Sequence, residues 1–193
     1  PYLADAVPGW FQAVLTLHDS SGKKVASADS FHFRQDPAIL YEVPRDDQYT
    51  VTIRDSLFRG REDFVYRMSV GELPFLTSIF PLGARIDSDI EIQLDGWNLS
   101  QTTIQLKTGT RRSYRPVTSV SVPQEVGPPL RFPLQIGRLQ EHVETEPNNR
   151  IDDAVQIDTH QVLNGRIDQP GDQDVYRLNC HAKVVIEVQA RQH

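Results

Sequence analysis

Apolar and polar residues alternate along much of the chain. Lys183–Ala190 places Val184, Ile186, Val188 and Ala190 on one face of an extended segment, and Asp89–Asp95 does the same with Ile90, Ile92 and Leu94. Tyr49–Arg54 pairs Val51 with Ile53, and Thr102–Lys107 pairs Ile104 with Leu106. Val14–Leu17 and Val65–Val70 follow the same period less cleanly. Successive side chains of a strand point to opposite faces, so this period predicts antiparallel sheets with one wet face. Turn-forming runs punctuate it: Asp19-Ser-Ser-Gly22, Pro44-Arg-Asp-Asp47, Asp95-Gly96 and Gln169-Pro-Gly-Asp172. With 11 glycines and 13 prolines in 193 residues, a breaker falls about every eight positions, which suits short strands better than helices. The expected fold class is all-β, built as antiparallel β-sandwiches.

Composition narrows the classes of function. Twenty Lys and Arg against 26 Asp and Glu give a net charge of -6, which argues against a generally cationic nucleic-acid binder. Hydrophobic residues make up 38% of the chain, too many for a disordered segment. No apolar run approaches the roughly 18–20 residues of a membrane-spanning helix. Pro1 opens the chain without a basic leader, so a processed or excised piece is expected. The single cysteine, Cys180, can form no internal disulfide or thiolate-rich metal site, and is expected to be buried and unreactive.

The best internal boundary falls near Gly71-Glu-Leu-Pro74, and a second at Leu139–Arg150, where the chain turns polar and loses its period. Three pieces are expected: 1–72, 73–140 and 141–193. Residues 75–138 are expected to form their own small sandwich, with Ile90, Ile92, Leu94, Ile104 and Leu106 inward.

Glu144-Thr-Glu-Pro-Asn-Asn149, Asp153-Ala-Val155, Asn164-Gly-Arg-Ile-Asp168 and Gly171-Asp-Gln-Asp-Val-Tyr-Arg-Leu178 follow one another in an order that resembles the opening half of a bacterial pre-peptidase C-terminal (PPC) domain. Residues 1–72 resemble its closing half, through Ala13–Lys23, Tyr49–Asp55 and Tyr66–Gly71. The middle piece, with Ile79-Phe-Pro-Leu-Gly83 and Gly96-Trp-Asn-Leu99, is similar to small immunoglobulin-like IPT/TIG modules. The resemblance implies a PPC-like jelly-roll sandwich in two halves around an Ig-like sandwich, in an extracytoplasmic bacterial protein. It also implies calcium, since related collagen-binding modules draw calcium oxygens from the Glu-x-Glu-Pro-Asn-Asn segment and a later acidic loop. The ligand set implied here is Glu144, Glu146, Asn148, Asp172 and Asp174. Their oxygens are of the hard type that Ca²⁺ takes six to eight at a time. The competing reading is a solvated acidic linker and an ordinary turn, with Asp172 and Asp174 capping backbone donors.

No catalytic motif is present: no Gly-x-Ser-x-Gly, His-Glu-x-x-His, Walker loop or Gly-x-Gly-x-x-Gly. Neither His18-Asp19-Ser20 nor Cys180-His181 makes a reactive group, because neighbouring strand residues face opposite ways. Arg54, Arg59, Arg61 and Arg67 among Asp55, Glu62 and Asp63 read as an ion-paired surface. Arg111, Arg112, Tyr114 and Arg115 form a local basic-aromatic patch, read as a solvated loop. Asn98-Leu-Ser100 matches the N-glycosylation pattern. Trp10 and Trp97 read as core or turn-packing residues.

The expected function is therefore a non-catalytic structural or adhesion module. The alternative is a targeting domain of a secreted peptidase that binds a fibrous protein or polysaccharide. Its expected partners are copies of itself, neighbouring modules, or an extracellular protein or glycan. A half-sandwich would leave Val184, Ile186 and Val188 as an apolar strand in need of a partner, supplied by the same chain or by a neighbouring copy.

Overall fold

The structure is a computed structural model that describes residues 11–31, 35–109, 117–125, 129–181 and 183–190. The described residues form thirteen short strands, and their only helical element is a 3-10 turn at Ile151–Asp153. The class is all-β. Among the described residues no helix is long and apolar enough to cross a membrane. Two compact units divide the chain at Gly71, residues 1–71 and 72–191.

In the first unit β1 (Ala13–His18) lies between β2 (Lys24–Ala28) and β3 (Thr50–Asp55) in an antiparallel sheet. The turn between β1 and β2 is closed by Asp19, whose Oδ1 accepts from Ser21 N–H (3.0 Å), Ser21 Oγ (2.6 Å) and Lys23 N–H (3.0 Å). That is an Asx turn. At the end of β3 the buried Asp55 carboxylate accepts from the backbone N–H of Gln12, Leu57 and Arg59. It also takes the Arg59 guanidinium, from Nε at 2.9 Å and Nη2 at 3.0 Å. These bonds, Arg59 foremost, hold Asp55 well below the usual carboxylate range. Arg61 pairs with Asp63 at 2.8 Å, so part of the expected ion-paired surface is present.

In the second unit two three-stranded sheets face one another. One has the order β4 (Phe75–Phe80), β6 (Asp89–Trp97), β7 (Thr103–Lys107). The other has β9 (Leu130–Gly137) between β5 (Gly83–Arg85) and β8 (Val117–Val122). Ile92 and Leu94 from the first sheet and Phe132, Leu134 and Val122 from the second are almost fully buried, and Ile90, Ile104 and Leu106 pack against them. Each large buried side chain contributes about 1.5–3 kcal/mol of transfer free energy, which makes this core the main stabilising feature of the unit. Gly96 stands opposite Leu76 beside a register shift, where an added Cβ would lie 2.1 Å from the Phe75 carbonyl oxygen. Only glycine lets the two backbones approach so closely.

Residues 140–178 add two small parallel pairs: β10 (Gln140–Val143) with β12 (Gln161–Asn164), and β11 (Val155–Ile157) with β13 (Tyr176–Leu178). β5 and β9 are also parallel. The sheets β2-β1-β3 and β4-β6-β7 are antiparallel as expected, whereas β5-β9-β8 is mixed and the two added pairs are parallel, because alternation marks a half-buried strand but says nothing of its neighbour's direction. Asn164 ties the added pairs to the sandwich. Its Oδ1 accepts the Leu82 N–H at 3.1 Å and its Nδ2 donates to Glu141 at 2.8 Å. Arg166 stacks on the Phe80 ring at 4.2 Å and pairs with Asp95 at 3.6 Å.

Several expectations are corrected. Residues 65–70 and 183–190 form no strand, although their alternation matches that of β6. A strand exists only against a partner edge, and among the described residues neither segment joins a sheet. Cys180 is exposed rather than buried. Trp97 is 38% exposed at the end of β6 instead of lying in the core. Trp10 and the patch at Arg111, Arg112, Tyr114 and Arg115 lie outside the described residues.

Candidate functional site

The acidic motifs converge in the second unit. Glu144 directly follows β10, and its N–H donates to the Asn164 carbonyl at 3.0 Å, which extends the β10–β12 ladder by one residue. Asp174 lies two residues before Tyr176, the first residue of β13, so the two side chains share a face. Glu146 belongs to the loop between β10 and the 3-10 turn. Its carboxylate accepts the Asn148 N–H at 3.0 Å, and the Asn148 carbonyl accepts the Val175 N–H at 3.0 Å. Asn148 thereby holds the loop of Glu146 against the segment that carries Asp174. The result brings carboxylate oxygens of Glu144, Glu146 and Asp174 within 4.8 Å of one another.

Gly165 makes this convergence sterically feasible. A Cβ there would meet Glu144 Oε2 at 2.6 Å, Asp174 Oδ2 at 2.9 Å and the Tyr176 hydroxyl at 3.0 Å. The Arg166 N–H donates to Glu144 Oε1, and the Tyr176 hydroxyl lies 3.5 Å from Glu144 Oε2. The backbone after the Asn164-Gly165 corner and the side chain of Tyr176 therefore form the floor of the cluster.

Crowded carboxylates resist ionisation. Burial, reinforced by the charges of Asp174 and Glu146, pushes Glu144 up. Burial and the neighbouring Asp172 push Asp174 up. Burial, together with Asp174 and Glu144, pushes the Tyr176 phenol up to about 12. Desolvation and like charge act together here, and a cation would relieve both.

Of the five residues expected at a calcium site, Glu144, Glu146 and Asp174 are brought together. Asn148 is 0% exposed, and neither its Oδ1 nor its Nδ2 has a hydrogen-bond partner among the described residues. Such a group costs about 1–3 kcal/mol when left unsatisfied. Asp172 is employed differently, because its carboxylate closes the Gln169–Asp172 turn by accepting from Asp168 N–H (2.7 Å) and Gln173 N–H (3.0 Å). Gly171, at φ +91°, supplies the left-handed residue of that turn. A shallow cleft lined by Glu146, Pro147, Asn149, Asp168, Gln169 and Asp172 opens beside the cluster. Val184, Ile186 and Val188 lie apart from this chemistry, exposed on the segment without a strand.

Sequence reasoning missed Gly165, Tyr176 and the Asn164–Glu141 pair. Tyr176 was open to detection, because it lies two residues from Asp174 in an extended segment. Gly165 and Glu141 were not, since their roles depend on which strand neighbours which. Three carboxylates offer only hard oxygens, which a hard cation accepts, and no soft ligand for zinc or copper.

No protein-family model, no curated protein and no solved structure matches this chain.

Proposed function

We propose that the chain is a non-catalytic structural or adhesion module of an extracytoplasmic bacterial protein, in which a calcium ion fixes residues 144–176 against the sandwich. The observation that carries this reading is the cluster of Glu144, Glu146 and Asp174 within 4.8 Å; Asn148, whose N–H donates to Glu146, has a buried side chain without a hydrogen-bond partner among the described residues. A divalent cation would neutralise the carboxylates and give the Asn148 amide oxygen a partner. It would also join the loop after β10 to the segment before β13. The lack of any catalytic motif supports a mechanical rather than a chemical role. Calcium modules outside cells work with dissociation constants of about 10⁻⁴–10⁻³ M, a range compatible with a site of few ligands completed by water.

A ligand that binds only the folded state stabilises it by mass action. Calcium at about 10 mM should therefore raise the melting temperature of the second unit over that in excess chelator. Glu144→Gln with Asp174→Asn should abolish the difference. An identical melt with calcium and with chelator would overturn the cation reading.

A further inference from the structure

Two segments of the chain have the alternation of a strand but join no sheet among the described residues, although Gln189 in the second accepts a 2.8 Å bond from the Gln135 side chain of β9. Val65-Tyr66-Arg67-Met68-Ser69-Val70 leaves Tyr66 62%, Met68 45% and Val70 72% exposed. Lys183–Ala190 leaves Val184 48%, Ile186 72% and Val188 84% exposed. Each carries one charge between its apolar positions, and the charges are opposite. Arg67 has no ion-pair or hydrogen-bond partner among the described residues, and Glu187 only accepts a 3.4 Å bond from Gln189.

We propose that these two segments pair between copies of the chain, residues 183–190 of one copy adding as an antiparallel strand to residues 65–70 of the next. Placing Arg67 opposite Glu187 sets Val70 against Val184, Met68 against Ile186 and Tyr66 against Val188. Directly opposed residues share a face, with Cβ atoms about 4.5–5.5 Å apart, so one register satisfies the charge and all three apolar pairs. A shift by two residues loses the charge pair, and a shift by one sends the apolar rows to opposite faces. The occupant is a second copy because every copy carries both complementary segments and keeps both apolar rows exposed when alone. Antiparallel pairing is the more stable of the two directions per residue. Donor and acceptor are different surfaces, so the contact is head-to-tail and builds rings or open chains.

Light scattering after size exclusion across a concentration series tests this directly, with excess chelator present so that the result is independent of the cation site. The expected result is a mass that rises with concentration. Arg67→Glu or Glu187→Arg alone should raise the midpoint concentration about tenfold, and the double exchange should restore it. A strict monomer at all concentrations overturns the proposal, as does association indifferent to both charge reversals. In a Cys180→Ser background, an equimolar mixture of Met68→Cys and Ile186→Cys chains should form heterodisulfides on oxidation. Crosslinking of Met68→Cys to Val188→Cys instead would overturn the antiparallel register in favour of a parallel one.

Discussion

The Asn164 side-chain amide, at the end of β12, donates to the carboxylate of Glu141, the second residue of the parallel strand β10, at 2.8 Å. The same amide group accepts the Leu82 N–H in the sandwich at 3.1 Å. One side chain, 7% exposed, thus serves two elements that share no sheet. Its neighbour in sequence, Gly165, is the residue whose missing Cβ makes room for Glu144, Asp174 and Tyr176. The clasp and the carboxylate cluster are therefore coupled through a single peptide bond.

Asn164→Leu should remove both hydrogen bonds and strand the Leu82 N–H and the Glu141 carboxylate. The expected cost is about 1–3 kcal/mol, read as a lower urea midpoint for the second unit. A variant with an unchanged midpoint would show that the clasp adds nothing.

Gly165→Ala tests the cluster separately from the fold. The atoms that its methyl would meet are the tips of Glu144, Asp174 and Tyr176, which can swing aside at little cost. Calorimetry should therefore show a melting temperature in chelator close to that of the parent chain, and a lost or much smaller calcium increment. Full retention of the calcium increment would separate Gly165 from the site.

The two units should respond in opposite directions to acid. Burial holds Glu141 above its ordinary value despite the bond from Asn164, and Glu144 and Asp174 are raised as well. Their folded forms hold protons more tightly than the unfolded chain, so stability grows as pH falls through the window between the raised values and about 4, and is lost as pH rises. Asp55 is lowered, so its contribution is present above about pH 4 and is lost below it. Amide exchange in chelator should show β10 and β12 better protected at pH 5 than at pH 7. Below pH 4, β1 and β3 should lose protection. Glu141→Gln should flatten the first response, and Asp55→Asn should weaken β1 and β3 at neutral pH.

The sandwich core and the uncovered segment should differ in tolerance. Leu134→Ala removes a side chain with 0% exposure and should cost about 2–5 kcal/mol. Val185→Ala, at a position 93% exposed, should leave the thermal midpoint of a dilute sample unchanged. Equal effects from the two substitutions would contradict the burial described.

The amino-acid sequence by itself determined strands whose alternation is met by a neighbour nearby in the chain, as β6 is by β7. Ile90, Ile92 and Leu94 face one way and Ile104 and Leu106 meet them, because a period of two allows one buried face and β-branched side chains fill it well. The resemblance, not the spacing, implied Glu144, Glu146, Asn148, Asp172 and Asp174 as one set, of which Glu144, Glu146 and Asp174 converge. It did not separate Asp172, whose carboxylate closes a turn, from Asp174, whose carboxylate joins the cluster. Only the tertiary structure decided which strands run parallel, and that Gly165 and Tyr176 form the floor of the cluster. It alone decided that 65–70 and 183–190 stay out of every sheet. The physical reason is common to all three: alternation records which face of a segment avoids water, whereas pairing is a relation between two edges and must be supplied from elsewhere in space.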